Sequence, residues 1–181
     1  MQLLRHPWPL CVLALGEFLL MTAMELLFFR RLSGGLPSLD VRLTGFSHEE
    51  GVAWLTAIGP TGAQSILVWH HLTFDLVFPA LLGLAMASLI VHFGEKLPRF
   101  TKIGDTAKAV FAIGAVLPYV GFDYAQNWAV AHILSDPLGA GPGDFRLASA
   151  LNVLKFIWLV PPAVVIAVFA MGGLRRGHAS L

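Results

Sequence analysis

"LPYVGFDYAQNWAV", residues 117–130, sets Asp123, Gln126 and Asn127 within five positions, inside apolar sequence running from about Ala107 to Leu134. If this stretch crosses a membrane, it carries an acid where an isolated charge costs about 2.5–3.5 kcal/mol on insertion scales. The acid then needs a partner from another helix. Whether the chain supplies both the membrane class and the partner decides the fold.

The class follows from composition. Of 181 residues, 56% are hydrophobic and 13% charged, with a mean hydropathy of +0.73. A soluble domain carries about 25% charged residues, so the deficit points to a membrane protein. Twelve Lys and Arg against 11 Asp and Glu leave +1, which supplies no broad basic surface for nucleic acid. Cys11 is the sole cysteine, which excludes an intramolecular disulfide and any C-x-x-C pair, and with them a disulfide-relay membrane enzyme.

Four runs, about 8–29, 63–93, 107–134 and 145–174, reach the roughly 20 residues that span a bilayer as a helix. The first follows Arg5 and His6 but exceeds the about 7–15 apolar residues of a signal peptide, and no A-x-A site precedes Arg30 and Arg31. It is expected to be retained. Between the first two runs, "SGGLPS" (33–38) reads as irregular. "SHEEGVAWLTAIGP" (47–60) reads as a short helix, with Ser47 and Glu50 at capping-box spacing, Gly59 as its stop and Pro60 opening the next helix. Val52, Leu55 and Ile58 share a face with Trp54 close by, so this helix is expected to lie at the membrane surface with Trp54 at the interface. A lid over a cavity is the sharper alternative.

The expected fold is all-α: one domain over 1–181, a polytopic antiparallel four-transmembrane-helix bundle with a short amphipathic extracytoplasmic helix. One side holds Arg5, Lys96, Arg99, Lys102, Lys108, Arg175 and Arg176; the other holds Arg30, Arg31, Arg42 and Arg146. Positive residues accumulate inside, so both termini are expected in the cytoplasm of a multi-pass cell-membrane protein.

Depth counting then supplies the partner. Asp123 lies about twelve residues, or roughly 18 Å, from the outer end of its span. Asp75 and Lys155 fall at the same depth in theirs, so three charged residues on three helices converge in one layer. His71 lies one turn from Asp75, Asn127 one turn from Asp123, and Asn152 with Ser149 rises from Lys155. Glu25, near the outer end of span one, can join from the fourth side. These polar ladders are expected to wall an outward-open, water-filled crevice, with Asp75 and Asp123 flanking Lys155.

Phe74-Asp75 with Phe78-Pro79, then Asp123-x-x-Gln126-Asn127, then Asn152-x-x-Lys155, resembles a group of small, uncharacterised four-helix bacterial membrane proteins. Their pattern is Asp followed by Phe-Pro, Asp-x-x-Glu-Asn and Thr-x-x-Lys. The likeness covers roughly residues 44–158, with Gln126 where the pattern has an acid and Asn152 where it has threonine. It implies the four-helix architecture and no activity.

His70, His71, Asp75 and His132 are residue types that a metal uses. Adjacent histidines point in different directions on an α-helix, however, and no H-E-x-x-H occurs, so no metal site is expected. Haem ligation fails on depth, with His132 near the surface and His71 about 12 Å below it. Glu17, mid-span in "LALGEFLLMT", is a candidate for proton coupling. Pro79, Pro118 and Pro161-Pro162 interrupt three spans, which membranes tolerate where neighbours resatisfy the freed carbonyls. Gly83 and Ala87 suit close helix packing. No G-x-S-x-G elbow or phosphate-binding loop is present.

Three function classes remain. The leading one is an intramembrane crevice that binds a small molecule, lipid headgroup or cation through Asp75, Asp123, Lys155, Asn127, Asn152, His71, Glu25 and Gln126. The second is an accessory subunit, held to a membrane protein partner or to further copies of itself, with the ionic layer structural. The third is a proton-coupled transporter using Glu17 and the aspartates. No cofactor and no complete catalytic constellation can be named.

Overall fold

The structure is a computed structural model; it describes residues 1–177, and the Arg175 and Arg176 side chains lie outside the described part. Four helices are long and apolar enough to cross a membrane: α1 (Pro7–Leu32), α2 (His48–Gly94), α3 (Asp105–Ser135) and α4 (Pro142–Gly177). The most apolar windows of α1, α2 and α4 have mean hydropathies of 2.0, 2.2 and 2.3, against 1.2 for α3, the helix that carries Asp123, Gln126 and Asn127. By length and composition this is a multi-pass membrane protein. Leu13, Leu19, Leu76, Val77, Leu117, Val160 and Val164 face outward, as lipid contact requires.

α3 packs along both α2 and α4, while α1 leans on α2. Gly83 sits where a Cβ would press 2.6 Å from a Val120 methyl, so its lack of a side chain sets how closely α2 approaches α3. Two large apolar clusters fill the bundle, and a small one of Leu10, Ala14 and Ala85 joins α1 to α2. One large cluster, at the end nearer the long loop, holds Phe29, Leu39, Trp54, Ile66, Ile133 and Phe145; the other holds Leu4, Met86, Ile90, Val91, Ala112 and Val116. The polar layer lies between them. At the far end Arg5 binds both carboxylate oxygens of Asp105 at 3.0 Å and Glu95 at 3.3 Å, which ties the N-terminus to the α2–α3 connection.

The segment expected as a surface helix is the first part of α2. Its capping box is present: Ser47 Oγ accepts from the Glu50 N–H, and Glu50 accepts from the Ser47 N–H. Gly59 breaks the helix at φ 63°, ψ 178°, a conformation glycine adopts without strain, and Pro60 opens the span. Trp54 does not mark an interface. It is 1% exposed and packs in the loop-end cluster, because the kink folds this helix back onto the bundle.

Candidate functional site

Two departures from regular α-helix shape the site. Glu25–Phe29 and Leu67–Phe74 are π-helical, and π turns gather at functional positions. The second sets His70 and His71 side by side, ring centroids 4.9 Å apart. Pro79 then removes the N–H that the Asp75 carbonyl would accept. Asn127 Nδ2 replaces it, donating to that carbonyl at 3.1 Å. The Asn127 Oδ1 accepts from His71 Nδ1.

The charged layer is wired differently from expectation. Lys155 Nζ pairs with Asp123 at 3.3 Å and donates to Gln126 Oε1 at 2.8 Å. Asp75 does not pair with Lys155. It faces the histidines, 3.3 Å from His70 Nε2 and 3.3 Å from His71 Nδ1, because the π turn rotates its face toward them. The missing member is Asp40, from the long loop. Its carboxylate lies 3.2 Å from His70 Nε2 and 3.6 Å from His71 Nε2, and Gln126 Nε2 donates to it. Burial alone would push the Asp40 carboxyl up. The imidazoles of His71 and His70 and the Lys155 ammonium outweigh that and hold it well below the usual carboxylate range.

The remaining predicted residues have other duties. Asn152 donates to the Leu39 and Arg42 carbonyls, at 3.2 and 2.7 Å, and Ser149 Oγ accepts from the Phe46 N–H at 2.8 Å. These are clamps on the loop. The expected outward-open crevice is therefore roofed by residues 38–46, with Leu39 fully buried. Glu25 accepts from the Ser38 N–H and from Arg30 Nε, pinning the start of the roof. Glu17 is half-buried and stands outside the cavity wall, and His132 stacks on Trp128 away from the layer.

Beneath the roof is a cavity of about 400 Å³. Its polar end holds Asp40, His70, Asp75, Asp123 and Lys155, and its apolar wall holds Phe18, Phe78, Leu82, Phe156 and Leu159. α1 and α4 both line the cavity and make few contacts with each other. Comparison with family models, with curated proteins and with solved structures finds no match to this chain.

Sequence reading missed Asp40 and set His70 aside. Asp40 stands in "SLDV", a loop with no periodicity from which to count depth. For His70 the α-helical assumption was at fault: a π turn lets adjacent imidazoles converge on one carboxylate. That removes one of the two reasons for expecting no metal site, the divergence of adjacent histidines.

Proposed function

We propose that this protein binds the polar head of a small amphiphile or lipid, drawn from the bilayer between α1 and α4. The observation that carries the reading is the two-ended cavity. A wholly polar solute would leave Leu82, Phe156 and Leu159 facing its surface, and a pure hydrocarbon would strip water from Asp123 and Lys155 without replacing it. An amphiphile satisfies both ends, with Lys155 as the anion contact and the acids as acceptors for donor groups. The site serves a multi-pass protein of the cell membrane, both termini cytoplasmic.

Native mass spectrometry of the protein released gently from its own membrane tests this. A copurifying small amphiphile or lipid is expected on the wild-type chain. It should be lost in Lys155→Met, which removes the head contact, and in Leu159→Trp, which fills the apolar wall and touches no charge. An empty cavity together with a tightly held protein partner would instead make the layer a structural lock within a larger complex.

A further inference from the structure

Asp40, His70, His71 and Asp75 each offer one ligand atom, all within 4.8 Å of one another and all on buried side chains. Buried ion pairing alone could assemble such a group, but three further observations point to an ion at its centre.

The first is spacing. His70 Nε2 stands 3.2 Å from Asp40 Oδ2 and 3.3 Å from Asp75 Oδ2, and His71 Nε2 stands 3.6 Å from Asp40 Oδ2. Nitrogen and oxygen donors about 2.1 Å from a tetrahedral zinc lie about 3.4 Å apart. Three of the six donor pairs already stand close to the edges of that tetrahedron.

The second is an orphaned nitrogen. His71 is 1% exposed and its Nε2 has no hydrogen-bond partner. With Nδ1–H donated to Asn127 Oδ1, Nε2 points at the Asp40 carboxylate across that gap, and only a cation there, a proton or a metal ion, makes the contact attractive. The arrangement also matches metal-bound histidine, whose second nitrogen is held by an oxygen acceptor that fixes the tautomer.

The third is charge. Lys155 neutralises Asp123, which leaves Asp40 and Asp75 facing two imidazoles. Two carboxylates and two neutral imidazoles balance one dication. We propose that Asp40, His70, His71 and Asp75 bind a divalent transition metal of the zinc class, with His71 ligating through Nε2. Imidazole with carboxylate suits zinc and its first-row neighbours over magnesium or calcium, which take oxygen alone. Asp40, His70 and Asp75 also line the cavity, so the metal would sit at its polar end with four protein donors closing a tetrahedral shell.

The test uses the full chain in mild detergent, stripped with a chelator and titrated with Zn²⁺ or Co²⁺ alone. Stoichiometric Zn²⁺ that raises the unfolding temperature is expected, as are the intense visible bands of tetrahedral Co²⁺. Asp40→Asn and His70→Gln should each weaken Zn²⁺ at least tenfold, and Asn127→Leu, which removes no ligand but frees the second nitrogen of His71, about 10–100-fold. Lys155→Met should keep the metal. The proposal is overturned if the wild-type chain binds no Zn²⁺, or binds it with the same affinity in Asp40→Asn and His70→Gln. It is equally overturned if Co²⁺ shows only the faint spectrum of an aqueous ion, a result that requires no variant to fold. Bound metal with an empty cavity would sink only the amphiphile reading; a bound amphiphile without metal would sink only this one.

Discussion

Gln126 presents Nε2 to Asp40 and Oε1 to Lys155, so one neutral side chain serves an anion and a cation at once. A carboxylate there would still accept from Lys155 but would face Asp40 anion to anion; leucine would serve neither. Gln126→Leu leaves two buried charged groups each short of a hydrogen bond, and bonds to charged groups contribute about 1.5–3 kcal/mol apiece. The expected loss is roughly 3 kcal/mol in detergent unfolding, and a loss under about 1 kcal/mol would show that the bridge is not what holds the layer. At this scale the sequence was legible wherever helices are regular. The Asp123–Lys155 pair follows from counting depth along α3 and α4, both α-helical at those positions. Asp75 is at the right depth and meets different partners, because depth counting carries no information about a π turn.

α2 shows what an element's sequence can and cannot announce. The capping box, the stop at Gly59 and the restart at Pro60 are local chemistry, and each forms as its residues require. The widened turn at 67–74 is less legible: Thr73 Oγ1 donates to the Val68 carbonyl within it, but the bonds to the His71 and Asp75 carbonyls come from Asn127 on α3. The loop from 38 to 46 is likewise positioned from outside itself, by Ser149 and Asn152 on α4. Gly45 has φ 81°, and a Cβ there would stand 2.6 Å from Ser149 Oγ, so the loop meets α4 too closely for any side chain. Asn152→Ala removes two bonds to the loop, each contributing about 1 kcal/mol. Amide exchange over residues 38–46 should then quicken about tenfold or more, with the spans unchanged. Unchanged exchange would assign the roof to its other ties, Ser149, Glu25 and the burial of Leu39.

The molecule as a whole is asymmetric from end to end. The end with the termini is tied by Arg5, Glu95, Asp105 and Lys108, and by Ser88 Oγ donating to the Leu4 carbonyl at 2.9 Å. The other end carries the roof, the polar layer and the larger buried cluster. Which half faces the cytoplasm is a prediction from the basic residues. Lys96, Arg99, Lys102 and Lys108 cluster with Arg5 at the terminal end, while the roofed end holds Arg30, Arg31, Arg42 and Arg146. The acids that pair with Arg5 and Lys108 do not offset this, because orientation responds to Lys and Arg and hardly to Asp or Glu. The roof should therefore face outward, and cysteine mapping in a Cys11→Ala background tests it. Leu138, fully exposed between α3 and α4, and Lys102, exposed between α2 and α3, mark the two ends. Leu138→Cys should react with a membrane-impermeant maleimide on intact cells, and Lys102→Cys only after the membrane is opened. The reverse pattern would put the roof in the cytoplasm, and a ligand drawn from the bilayer would then come with its head group in the inner leaflet.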